Sequence, residues 1–118
     1  MINVWLDDER ETPEGWVNFK TAWDCIEFMK NNSGKVDIIS LDHDLGDDFE
    51  HGTGYNVICW IEEQIHVNNE FIPPNDIRIH TANASARQKM ENALKGIKSM
   101  LIRKSLQHVK EINFKTSS

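Results

Sequence analysis

The sequence predicts a single α/β domain: a parallel sheet of four to five strands with helices on both faces, a three-layer arrangement. Three observations lead there. A chain of 118 residues supports one hydrophobic core and is short for two. Short apolar runs alternate with segments whose apolar residues recur at helical spacing, the signature of strand–helix–strand crossovers. Three of those apolar runs end on Asp or His, and a parallel sheet delivers all its carboxyl ends to one edge.

Ile2-Asn3-Val4-Trp5-Leu6 reads as a central strand that stops at Asp7-Asp8. The following Glu9 to Gly15, with Pro13, is too interrupted to hold a helix, so the first crossover helix is missing. Trp16-Val17-Asn18-Phe19 is a second short strand, and Thr21-Ala22-Trp23-Asp24 resembles a capping box with Asp24 in place of Glu. Ala22, Cys25, Ile26 and Met29 form one helical face, which Asn31-Asn32-Ser33-Gly34 ends. Val36 to Leu41 is the next strand, running into Asp42-His43-Asp44-Leu45-Gly46, and the polar stretch from Asp47 to Gly54 is expected as a loop. Thr53 caps a helix whose Val57, Ile58, Ile61 and Ile65 face the core. Ile77-Arg78-Ile79-His80 alternates and belongs near a sheet edge. Asn83 or Ser85 then caps a helix with Ala86, Met90, Ala93, Leu94, Ile97 and Leu101 on one stripe. Glu111 to Phe114 is a short candidate for a fifth strand, which places the domain at 1–114 and a frayed tail at 115–118.

Composition narrows the function classes. The net charge of −6, from 19 acidic residues against 13 Lys and Arg, argues against duplex DNA as a partner but leaves room for a nucleotide or RNA end held through a metal. No apolar run approaches the roughly 18 residues of a membrane span, and no basic-then-apolar leader opens the sequence. Cys25 and Cys59 lie among apolar residues at helical spacing and read as reduced core thiols, which suits the cytoplasm. Trp5, Trp23 and Trp60 are expected in the core.

The topology gathers Asp7, Asp8, Asp42, His43, Asp44 and His80 at one edge. Carboxylates crowded together raise one another's pKa unless a cation neutralises them, so Asp7, Asp8, Asp42 and Asp44 are candidate ligands for Mg²⁺ or Mn²⁺. His43 and His80 titrate near neutrality and are candidates for proton transfer, with Asp42 as a third catalytic candidate. The run from His80 to Arg87 places Thr81, Asn83, Ser85 and Arg87 around a helix amino terminus, and Arg10 follows Asp7-Asp8 closely; hydroxyls, an amide, a helix start and guanidinium groups are what a phosphate needs. His51, His66 and His108 sit in loop or helix-surface contexts, His51 with Gly52 and Gly54 as a rim.

Asp7-Asp8 after one strand, Asp42 after another and Thr81-Ala82 after a third resemble the acidic pocket, acceptor Asp and hydroxyl switch of response-regulator receiver domains, a flavodoxin-like fold. The fuller pattern, Trp5-Leu6-Asp7-Asp8-Glu9-Arg10 with Pro13, then Leu41-Asp42-His43-Asp44-Leu45-Gly46, then His80-Thr81-Ala82-Asn83, is more similar to the receiver-derived family called the cyclic-phosphate processing receiver domain. That resemblance implies action on cyclic phosphate ends of RNA or nucleotides, with Asp7, Asp8 and Asp42 on the metal and His43, His80 and Asn83 on the phosphate. The expected function is a metal-dependent phosphoesterase; the alternative is a non-catalytic receiver-like module that accepts a phosphoryl group, sequesters a nucleotide or mediates protein contacts.

Overall fold

A computed structural model describes residues 1–117. Its elements run β1 (Ile2–Leu6), β2 (Val17–Phe19), α1 (Ala22–Asn31), β3 (Val36–Leu41), α2 (Asp48–His51), α3 (Gly54–Val67), β4 (Asp76–Ile79) and α4 (Ala84–Ser117). The four strands form one sheet in the order β2-β1-β3-β4, and every pairing is parallel. This is a single α/β domain of the receiver-like, flavodoxin-like kind. No helix among the described residues is long and apolar enough to cross a membrane.

Pattern and register explain the core. Val4 pairs with Ile39 and Leu6 with Leu41, which in turn pairs with Ile79, so alternate residues of neighbouring strands line one face. Against that face pack Cys25, Ile26 and Met29 of α1, Val57, Ile58, Ile61 and Ile65 of α3, and Met90 and Ile97 of α4. Thr21 starts α1 by accepting a hydrogen bond from the Asp24 backbone N–H, and Thr53 with Asn56 forms a complete capping box at α3. Cys25 is buried and Cys59 only half-buried, both as free thiols.

Several expectations change. The helices α1, α3 and α4 share one face, because the crossovers β2-α1-β3 and β3-α3-β4 travel the same way along the sheet and right-handedness sends both to the same side. Only the β1–β2 connection travels the other way, and it lacks a helix, so the second face carries no helix among the described residues. The sheet is thus two-layered where three layers were expected. Trp5 sits on that second face, edge-on to Trp16. Trp23 is 45% exposed, since it lies on α1 opposite the buried face of Ala22, Cys25 and Met29; Trp60 packs edge-to-face on Phe71 as expected of a core ring.

The stretch expected as a loop at 47–54 contains the single turn α2, capped by Asp47, and the start of α3. Residues 111–114 form no fifth strand: α4 runs through them without a break. Its stripe is buried only as far as Ile97, and the residues from Leu101 to Ile112 are exposed because the helix has outrun the sheet. Of the tail expected at 115–118, α4 includes residues up to Ser117, and Ser118 lies outside the described residues.

Candidate active site

The carboxyl edge of the sheet stays ordered one residue beyond each strand. The backbone N–H of Asp7 donates to Phe19 O (3.0 Å), that of Asp42 to Leu6 O (2.9 Å) and that of His80 to Leu41 O (3.0 Å). Ladder hydrogen bonds therefore hold these three residues side by side, although they come from distant parts of the chain.

Around them lies a cavity of about 270 Å³ lined by Asp7, Asp8, Glu9, Arg10, Asp42, Asp44, Gly46, Thr81, Ala82 and Asn83. One carboxylate oxygen each from Asp7, Asp8 and Asp42 lies within 4.8 Å of the other two. Three acidic oxygens at that spacing fit a hard divalent cation, whose oxygen ligands stand about 2.0–2.6 Å from it. Asp44 stands apart from this triple. Its Oδ1 is 2.9 Å from His43 Nδ1, and its Oδ2 accepts from Asn83 Nδ2 at 3.2 Å. The His43 hydrogen bond lowers the Asp44 pKa against a smaller opposing effect of burial, with Asn83 adding to the lowering.

Asp7 is 1% exposed, an uncommon position for a carboxylate. Its Oδ1 accepts from the backbone N–H groups of Glu9 and Arg10, both at 2.9 Å, and its Oδ2 lies 3.0 Å from His80 Nε2. Burial pushes its pKa up, but the two backbone donors and His80 together outweigh that, and the carboxyl titrates below its ordinary value. The acidic residue is thus kept ionised by the turn that follows β1.

His80 has both ring nitrogens engaged. Nε2 faces Asp7, and Nδ1 is 2.8 Å from Ser40 Oγ. The ring lies flat on Trp5, with centroids 3.9 Å apart and planes within 3°. Burial lowers its pKa against the pull of Asp7 and Asp42. His43 is held differently: its backbone N–H donates to Asp42 Oδ1 at 2.8 Å, its ring Nδ1 meets Asp44, and its Nε2 has no hydrogen-bond partner among the described residues.

The expected phosphate ligands divide. Arg10, Thr81 and Asn83 line the cavity. Arg10 also donates through Nη1 to the His80 carbonyl oxygen, which ties the β1 loop to the end of β4. Thr81 Oγ1 accepts from the Asn83 backbone N–H, and Asn83 Oδ1 caps α4 by accepting from Ala86 N at 3.1 Å. Ser85 and Arg87 turn away from the cavity. The Ser85 hydroxyl donates to Asn83 Oδ1, while the Arg87 guanidinium is spent on the carbonyls of Ile79 and Thr81 and on Glu91. His43 and His80 are not among the lining residues; each is bonded to one that is, His43 to Asp44 and His80 to Asp7.

Two residues that sequence reasoning passed over complete the arrangement. Ser40 is buried beneath His80, and Trp5 is its platform rather than a core ring. Ser40 carried a usable signal: it is the one hydroxyl in Val36-Asp37-Ile38-Ile39-Ser40-Leu41, two residues before Asp42.

A family model described as the cyclic-phosphate processing receiver domain matches residues 2–96. The chain belongs to that family. In this cyclic-phosphate processing receiver domain the matched segment holds the whole sheet, every residue that lines the cavity and α4 up to residue 96, one position short of the buried Ile97. No curated protein and no solved structure matches the chain.

Proposed function

We propose that this receiver domain is a metal-dependent phosphoesterase acting on the cyclic phosphate of an RNA end or nucleotide derivative. The observation that carries the reading is the meeting, in one cavity, of three carboxylate oxygens within 4.8 Å of one another with Arg10, Thr81 and the Asn83 cap of α4. An acidic triple alone would repel a phosphate. A divalent ion held by Asp7, Asp8 and Asp42, Mg²⁺ or Mn²⁺ from the all-oxygen ligand set, supplies charge neutralisation and polarisation of phosphoryl oxygens.

The chain's own residues do the rest. Arg10 and the amino end of α4 receive the phosphate's negative charge. His43 suits proton transfer better than His80, because Asp44 engages its Nδ1 while Nε2 stays free, whereas both nitrogens of His80 are bonded inside the protein. His80 then serves the reaction through Asp7. Asp44 has the role of orienting His43 in place of the metal role expected from sequence, and Ser85 and Arg87 support the start of α4.

The test is turnover of a nucleoside cyclic phosphate and of RNA ending in one, with Mg²⁺ and Mn²⁺ titrated, in the wild type and in Asp42→Asn and His80→Ala. Metal-dependent opening of the cyclic ester that both substitutions impair is the expected result. Turnover unchanged in both variants rejects the assignment, and recovery of an unaltered nucleotide from heat-denatured protein favours a sequestering role.

A further inference from the structure

Trp5 of β1 and Ser40 of β3 are register partners on adjacent strands, so their side chains emerge together on the helix-free face of the sheet. His80, two residues beyond Arg78, emerges on that same face, since Arg78 pairs with Ser40. Its imidazole folds back across the sheet, lies on Trp5 and reaches Ser40 with one nitrogen and Asp7 with the other. The result is a chain of three polar groups, Ser40–His80–Asp7, with both ends buried and the histidine half-buried, that ends on a carboxylate of the cavity.

Donor and acceptor roles in this chain follow from chemistry. An ionised carboxylate only accepts, so Nε2 of His80 must carry the proton toward Asp7 Oδ2. With the ring's proton on Nε2, Nδ1 offers a lone pair 2.8 Å from Ser40 Oγ, and the hydroxyl donates to it. Asp7 has about four lone-pair sites. The backbone N–H groups of Glu9 and Arg10 take two on Oδ1, and His80 takes one on Oδ2. One site on Oδ2 is left, and its direction is set by the His80 proton beside it.

We infer that Ser40 is a positioning residue of this site: its hydroxyl, bonded to Nδ1, holds the His80 ring in the orientation that points Nε2–H at Asp7 and thereby aims the remaining Oδ2 lone pair of Asp7 at the cation position between Asp7, Asp8 and Asp42. The inference rests on the metal-site reading given above. Trp5 takes part by holding the ring flat. Without the Ser40 hydroxyl the ring loses its hold at Nδ1 and can shift on Trp5, so the Nε2–H contact that orients the Asp7 carboxylate loosens.

The test combines ¹⁵N NMR of histidine-labelled protein with Mn²⁺ affinity measured by titration calorimetry, on the wild type, Ser40→Ala and Ser40→Thr, with near-ultraviolet circular dichroism reporting folding. The wild type is expected to show His80 protonated on Nε2 alone. Ser40→Ala is expected to show a shifted His80 Nδ1 resonance and roughly tenfold weaker Mn²⁺ binding, the scale on which ligand-supporting hydrogen bonds act, and Ser40→Thr to restore both. A wild-type His80 protonated on Nδ1 overturns the inference without any variant. So does a folded Ser40→Ala protein whose Mn²⁺ affinity equals the wild type's. Should the wild type bind no Mn²⁺, the metal-site reading fails and the aiming of Asp7 at a cation fails with it, a result distinct from a failure of the tautomer readout.

Discussion

Gly54 stands against the backbone of Asp42 so closely that a Cβ on Gly54 would lie 2.0 Å from the Asp42 carbonyl oxygen. The first residue of α3 is therefore a spacer for the acidic loop, and the Gly54 N–H donates to His43 O across the same gap. No side-chain rotation relieves a clash with backbone. Gly54→Ala is expected to cost about 3 kcal/mol or more in urea unfolding, at the upper end for overpacking. Gly96 provides the contrast, since a Cβ there meets nothing within 4 Å. Gly96→Ala within α4 is expected to stabilise by about 0.5–1 kcal/mol.

Divalent metal should stabilise the fold through Asp7, Asp8 and Asp42. At a concentration of 100 Kd a ligand specific for the native state adds about 2.7 kcal/mol, which raises Tm by roughly 10 °C for a domain of this size. Differential scanning fluorimetry with Mg²⁺ and Mn²⁺ should show that rise in the wild type and lose it in Asp8→Asn and Asp42→Asn. An equal rise in these variants would place the ion elsewhere.

Removing the free nitrogen of His43 should slow turnover far more than it alters folding. His43→Gln is expected to lower kcat by about 10²–10⁴, the usual contribution of a positioned acid–base group. Asp44→Asn keeps a side chain of the same shape but weakens the hold on Nδ1, so it should fall between the wild type and His43→Gln. Steady-state kinetics on a cyclic-phosphate substrate, with Tm measured in parallel, separates the two effects.

The thiols should differ sharply in reactivity. Burial pushes the Cys25 thiol from its ordinary 9.0 up to about 12, so almost no thiolate forms in the native state. Cys59 is half-buried beside Tyr55, Glu62 and His66. Iodoacetamide at pH 8 should label Cys59 in the native protein and Cys25 only on unfolding, as mass spectrometry of the peptides would reveal. The sign of the linkage follows: a thiol whose pKa is raised by folding favours the native state fully below 9.0 and loses that contribution as pH climbs from 9.0 toward 12. Stability of the wild type should therefore fall more steeply above pH 9.0 than that of Cys25→Ala.

Much of this was legible in the chain itself. The apolar runs ending at Leu6, Leu41 and Ile79 gave the strands, and Thr21, Thr53 and Asn83 marked the helix starts, because capping depends on residues three or four apart. The clustering of Asp7, Asp8 and Asp42 followed from parallel topology alone. Periodicity misled where the environment ended before the pattern did: Leu101 continues the α4 stripe, yet the sheet no longer reaches it. Trp23 misled in another way, as a large apolar residue placed by its neighbours on the outer side of α1.

The sequence by itself determined the order of elements, the parallel sheet and the edge at which the acidic residues meet, since these depend on local pattern and on the handedness of crossovers. Tertiary structure alone decided how each polar atom is used. Asp7 and His80 are separated by 73 positions and Ser40 and His80 by 40, and only the folded sheet shows that both nitrogens of His80 are consumed while one nitrogen of His43 has no partner among the described residues. It also decided that one sheet face carries no helix among the described residues, leaving Trp5 to carry the His80 ring. Hydrogen-bond capacity is finite and directional, so the role of a histidine or carboxylate depends on which lone pairs and protons the fold has already taken.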